Sequence, residues 1–237
     1  MTRVGIIETG SPLDRRPSCA DFPKMFRDYF AGQSGMEFST FSIFRGVALP
    51  EPNTCDAWLI TGSPAGVYEN LSWILSLADF VRQTIGQSVP MLGICFGHQL
   101  MAQALGGTVE KSDKGRGIGV HEYELTGAGK KLFSGAHKLN LIAAHQDQVT
   151  KPPPGAELLA SSDFCEYAGF MYGNAGLSLQ GHPEFTADFE RELIEDWQET
   201  SPAPIAVVTT ALDTLVTKQT DAMRIAPMLR DFLARKP

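Results

Sequence analysis

Val89-Pro-Met-Leu-Gly-Ile-Cys-Phe-Gly-His-Gln-Leu-Met-Ala-Gln-Ala-Leu105 decides the fold. Val89–Ile94 is a short apolar run of the kind that makes a buried strand, and Phe96–Leu105 continues at once with helical spacing until Gly106-Gly107 stops it. Between them stands Gly93-Ile-Cys-Phe-Gly97, a strand-to-helix turn centred on a cysteine. A turn this sharp brings backbone against backbone, so glycine is needed on both sides, and the middle residue is pushed out at the carboxyl edge of a sheet. There Cys95 meets the unpaired N–H groups and positive dipole end of the following helix, which favour a thiolate. A free cysteine is ordinarily a small buried hydrophobe. The flanking glycines at a strand–helix junction single out Cys95, whereas Cys19, Cys55 and Cys165 have no such setting.

The pattern repeats outward from this stretch. Val4–Ile7 is a β-branched run, followed by a loop rich in Pro, Asp and Arg from Ser11 to Pro17 and a helical pattern over Phe22–Phe30. Phe38–Phe44 and Ala57–Thr61 predict two more strands, the second ending at Gly62-Ser63-Pro64, and Trp73–Ile85 predicts a helix with Leu77, Phe80, Val81 and Ile85 on its buried stripe. Strand then helix, several times over, implies an α/β fold with a doubly wound, mostly parallel sheet flanked by helices. Val120–Leu125 and Lys138–Ala144 alternate like antiparallel or edge strands. Lys151-Pro-Pro-Pro-Gly is a turn before a strand at Leu158–Ala160, and Leu177–Gln180 delivers Gly181-His182-Pro183-Glu184. Ala187–Trp197, Ile205–Thr217 and Ala222–Leu233 then read as helices. The economical organisation is one domain over 1–237, with an α/β core over 1–185 and a helical C-terminal segment over 186–237.

Bulk properties agree with a packed globular chain: 237 residues, 43% hydrophobic and 20% charged. A net charge of -7 repels phosphate backbones and anionic lipid, so nucleic acid and membrane surfaces are poor partners. No apolar stretch approaches the roughly 20 residues of a membrane helix. The strand-like start leaves no signal peptide, and four scattered cysteines without a CxxC pair give neither a disulfide framework nor a zinc site. These features place the chain in a reducing cytoplasm.

A cysteine nucleophile needs a base to take its proton and return it to the leaving amine. Of His98, His121, His137, His145 and His182, the last is best placed, because Glu184 stands two residues on and strand geometry points both side chains the same way. The carboxylate can then fix the imidazole tautomer, and Pro183 stiffens the pair. His145, in Ala143-Ala-His-Gln-Asp-Gln-Val, is a candidate for lining the site, with a loop-capping role as the alternative. His98 is expected to pack or hydrogen-bond behind the turn. His182 and Glu184 alone make no metal set.

At these residues the sequence resembles the class I, triad-type glutamine amidotransferases, closest to stand-alone domains similar to the glutaminase half of GMP synthetase. The resemblance is carried by Thr61-Gly-Ser-Pro-Ala, Gly93-Ile-Cys-Phe-Gly-His-Gln99, His145-Gln-Asp-Gln-Val and Gln180-Gly-His-Pro-Glu-Phe, in the family's order. It implies a flavodoxin-like sheet, no cofactor, and a triad of Cys95, His182 and Glu184 that forms a γ-glutamyl thioester. It further implies an oxyanion hole from the backbone N–H groups of Ser63 and Phe96, with Gly62, Gln99 and His145 contacting substrate. Many relatives have Gly-Gly-Pro where this chain has Gly62-Ser63-Pro64. The substrate implied is glutamine; since no phosphate-binding glycine loop appears here, either a separate synthetase subunit uses the ammonia or the chain is a hydrolase in its own right. The rival is a free-standing γ-glutamyl hydrolase or peptidase acting on another γ-glutamyl amide. A binding or regulatory homologue without turnover is a third alternative.

Overall fold

The computed structural model describes residues 1–11 and 21–236. The loop expected over Ser11–Pro17, past its first residue, and Cys19 lie outside them. The chain begins with β1 (Thr2–Glu8), α1 (Phe22–Tyr29), β2 (Met36–Ser42), β3 (Ala57–Ile60), α2 (Ser72–Gly86), β4 (Met91–Ile94) and α3 (Phe96–Ala104). A middle section follows: β5 (Thr108–Lys111), β6 (Gly117–Leu125), α4 (Gly127–Leu132), β7 (Lys138–His145), β8 (Asp147–Lys151), β9 (Ala156–Ser161), β10 (Gly169–Tyr172) and β11 (Gly176–Leu179). The end is helical, with α5 (Ala187–Thr200), α6 (Ile205–Thr217) and α7 (Ala222–Leu233).

Among the described residues nine strands form one sheet in the order β2-β1-β3-β4-β11-β10-β9-β6-β7. β2 through β11 in that order are parallel neighbours, and from β11 onward every pair is antiparallel. The central parallel strands β1, β3 and β4 are buried on both faces because helices cover both, while the edge strand β2 is partly exposed. Val4, Ile6, Leu59 and Leu92 pack with Phe26 of α1 and with Ile225, Leu229 and Phe232 of α7. Ile7, Trp58, Ile60 and Met91 face the other way, against Leu77 and Phe80 of α2 and Leu100 and Met101 of α3. Each such fully buried side chain contributes roughly 1.5–3 kcal/mol. Strand order reverses between β1 and β3, and their carboxyl ends are stapled there: the Thr9 amide donates to the Thr61 hydroxyl at 3.1 Å, and the Thr9 hydroxyl donates to the Gly62 carbonyl at 2.8 Å. Ligands of open α/β sheets bind at this kind of crevice.

The antiparallel half curls back. β7 lies at the end of the sheet, yet Ile142 forms an isolated bridge with His182, whose amide donates to the Ile142 carbonyl at 2.8 Å. α5 and α6 pack over this half, with Phe189, Leu193, Val208 and Ala211 against Ile118, Val120 and Ile142. Two successive amides of β6 are taken by side chains of these helices: Gly119 N–H donates to Glu190 Oε1 at 3.1 Å and Val120 N–H to Thr214 Oγ1 at 2.9 Å.

The structure departs from the sequence reading in the smaller elements. The strand expected over Phe38–Phe44 ends at Ser42 and turns through a short 3-10 helix, Ile43–Arg45, closed by Gly46 at φ +87°. β10 was not anticipated, nor were β5 and β8, which pair with each other as a separate two-stranded sheet. Among the described residues no helix is long and apolar enough to cross a membrane.

Candidate active site

Cys95 lies where β4 becomes α3, with φ +52° and ψ −101°. This backbone is rare for a residue with a side chain and costs on the order of 1–3 kcal/mol. The neighbouring glycines allow it. A Cβ on Gly93 would stand 2.6 Å from the backbone of Gly97, and one on Gly97 would stand 2.6 Å from the Ile60 carbonyl oxygen of β3. The Cys95 amide donates to the Leu179 carbonyl at 2.9 Å, so the strained turn is held to β11.

The continuation of β11 carries the histidine. His182 Nδ1 is 2.7 Å from Glu184 Oε1, and the imidazole also hydrogen-bonds Cys95. All three side chains are buried. Burial alone would push the His182 imidazole down, but its contacts with Glu184 and Cys95 outweigh that and raise it to about 10. The ring is therefore held as the cation at neutral pH, beside the sulfur. Phe185 stacks on it with centroids 3.8 Å apart and an interplanar angle of 12°, fixing its plane.

Gln180, which sequence reasoning left without a role, completes the arrangement. Its Nε2 donates to Cys95 Sγ at 3.5 Å, and its Oε1 accepts from Gln99 Nε2 at 3.0 Å. Gln99 Nε2 also donates to the Asp147 carbonyl at 2.8 Å. The signal was present in the spacing: Gln180 stands two residues before His182, as Glu184 stands two after it.

The loop after β3 closes the other side. A Cβ on Gly62 would come 3.1 Å from His182 Cε1 and 3.9 Å from Cys95 Cβ, so glycine keeps the sulfur approachable. The Ser63 hydroxyl donates to the Thr9 carbonyl at 2.7 Å and accepts from the Ala65 amide at 3.2 Å. It ties the loop to the end of β1. Phe96, first residue of α3, turns its ring into the core against Trp73. His145 lines the same cleft; its Nδ1 donates to the Asp147 carbonyl at 3.1 Å, and burial pushes the ring down to about 3. It is a neutral imidazole whose Nε2 is buried without a partner among the described residues. His98 sits behind the turn, bridging the Ser178 hydroxyl and the Tyr167 carbonyl. Burial holds it neutral, near 4.

Cys95, His182, Gly62, Ser63, Gln99 and His145 all border one cleft of about 350 Å³, with Glu184 directly behind His182. A cysteine on a strand–helix turn, paired through histidine to a carboxylate at a sheet's carboxyl edge, is an arrangement chemically capable of nucleophilic acyl transfer. The family described as Glutamine amidotransferase class-I matches residues 40–198, and the chain belongs to that family. Gamma-glutamyl peptidase 3 of Arabidopsis thaliana is 28% identical over 211 residues, 85% of this chain and 84% of its own. GMP synthase (glutamine-hydrolyzing) of Bordetella parapertussis is 39% identical over 137 residues, 54% of this chain and only 25% of that enzyme. A glutamine amidotransferase structure from Thermotoga maritima shares the fold at a TM-score of 0.77 and 22% identity, covering 99% of each chain.

Proposed function

We propose that this chain hydrolyses γ-glutamyl amides, glutamine or a related amide, through a γ-glutamyl thioester on Cys95. The observation that carries the reading is the buried line from Glu184 through a cationic His182 to Cys95 on its strained turn. Cys95 sulfur attacks the γ-carbonyl and the C–N bond breaks, with the proton on His182 passing to the departing nitrogen. Water then adds to the thioester, giving its proton to His182, and glutamate leaves as the sulfur is restored. Glu184 orients the imidazole and balances its charge throughout. The backbone N–H groups of Ser63 and Phe96 are the proposed donors to the oxyanion, of the kind worth about 3–4 kcal/mol each. Gly62, Gln99 and His145 border the substrate. The chain works in a reducing cytoplasm, and Cys55, Cys95 and Cys165 are free thiols. Where glutamine is the substrate, the ammonia goes to a separate synthetase subunit.

The test is glutamate release from glutamine and from a panel of γ-glutamyl amides, with Cys95→Ala as control. Diazo-oxo-norleucine should leave its adduct on Cys95. Full turnover by Cys95→Ala would overturn the assignment.

A further inference from the structure

The cleft does not end at the triad. The base must reach the nitrogen that departs, so the leaving group lies on the His182 side of the sulfur. That side is walled by aromatic rings. Beyond Phe185, which stacks on His182, Phe22 lies parallel at 6.2 Å and Phe189 meets its edge at 4.4 Å. Leu193 and Trp197 extend the wall along α5, and all five side chains border the cleft. The Arg116 guanidinium, which also borders the cleft, lies over the Trp197 ring, 4.2 Å from the centroid. Arg116 Nη1 is buried with no hydrogen-bond partner among the described residues.

Ammonia, the leaving group of glutamine, uses none of this surface. A buried guanidinium nitrogen left without an acceptor costs free energy unless a ligand supplies one. A carboxylate is the acceptor whose planar geometry an arginine fork matches.

Resting on the γ-glutamyl hydrolase reading, we infer that Phe22, Phe185, Phe189, Leu193, Trp197 and Arg116 form a leaving-group subsite for γ-glutamyl dipeptides. The second residue of the dipeptide is apolar or aromatic and lies along the rings, and its α-carboxylate pairs with Arg116. The glutamyl moiety lies beside Gln99, Tyr68 and Asp147, which border the same cleft. Hydrolysis then releases a free amino acid: the amide C–N bond breaks, water supplies the new carboxylate oxygen, and the protonated nitrogen departs. Burial of lowered polarity supports a ligand-seeking guanidinium too, since desolvation pushes Arg116 below its ordinary value.

The experiment compares kcat/KM for γ-Glu-Phe, γ-Glu-Gly, γ-glutamyl-phenethylamide and glutamine with the full-length chain. Phenethylamide matches phenylalanine without its carboxylate, so the ratio of γ-Glu-Phe to phenethylamide isolates the pairing with Arg116. The expected wild-type preference is tenfold or more for γ-Glu-Phe over γ-Glu-Gly and over the phenethylamide. Arg116→Ala should collapse the second ratio at least tenfold while the first falls less, and Trp197→Ala should collapse the first. General damage to the fold cancels in both ratios. An Arg116→Ala protein with both ratios unchanged would place the guanidinium outside the leaving-group path and overturn the inference. Glutamine turnover with no gain for γ-Glu-Phe would overturn it too, leaving the triad reading intact. No glutamate from any of the four, with Cys95 unlabelled, would remove the γ-glutamyl reading itself and this inference with it.

Discussion

Glu190 is a carboxyl in the wrong place for a charge. It is fully buried between α5 and β6, accepts one bond from the Gly119 amide, and leaves Oε2 without a partner among the described residues. Burial pushes it up to about 8, with the Gly119 bond and His182 pulling the other way. In the unfolded chain the same group titrates near 4.5. A group with a raised folded value adds stability that is complete below its unfolded value and is lost as pH rises through the folded one. Between those limits folding loses about 1.4 kcal/mol per pH unit. From pH 6 to pH 8 the loss attributable to Glu190 comes to roughly 2 kcal/mol, because the slope halves as the group begins to ionise in the fold. Glu190→Gln keeps an acceptor for Gly119 and cannot ionise. Its amide N–H groups find no partner at Oε2, which costs a pH-independent amount. The readout is therefore a slope. Urea unfolding of both proteins at pH 6 and pH 8 should show the variant gaining about 2 kcal/mol on wild type between the two values. The other titrating groups, including buried His98 and His145, cancel in that difference. A wild-type-minus-variant difference that does not change with pH would refute the reasoning.

Three further outcomes are expected. His182→Ala should lower glutamate release more than Glu184→Gln does, on the order of ten- to hundredfold, because an oriented base is lost outright in the first case; equal losses would make Glu184 more than an orienter. Gln180→Leu removes the donor 3.5 Å from Cys95 Sγ and should slow alkylation of Cys95 by iodoacetamide at pH 7 roughly tenfold, as read by mass spectrometry; an unchanged rate would mean the sulfur does not use that bond. Ser63→Ala frees the Thr9 carbonyl and the Ala65 amide, so thermal unfolding should report a loss of about 1 kcal/mol while kcat falls less than tenfold. A larger fall in kcat, in protein that remains folded, would put the hydroxyl itself against the substrate.

The central parallel strands β1, β3 and β4 were legible because they are buried and read as apolar runs, with Gly93 and Gly97 marking a turn that cannot tolerate a side chain, whereas the edge strand β2 is partly exposed and its end was not. α6 and α7 were legible to the residue from their periodicity. β5 and β8 were not: each is four or five residues, partly exposed, and finds its partner more than thirty positions away. No local pattern encodes such a pairing. The same applies to the site. His182 and Glu184 announce each other at two-residue spacing, whereas Arg116 and Trp197 meet only because α5 crosses the end of β6. Nor does any local pattern signal the tie of the Ser63 hydroxyl to Thr9, which depends on β1 and β3 being neighbours.

The backbone bond from His182 to Ile142 turns one amide proton into a gauge of the whole antiparallel arc. That proton can exchange with deuterium only when β7 swings away from the continuation of β11. The same excursion unseats the imidazole from Cys95, since the ring rides on the backbone that the bond holds. On the proposed mechanism, the exchange rate of the His182 amide, relative to that of Cys95 on the parallel side, reports how often Cys95 is left without its imidazole.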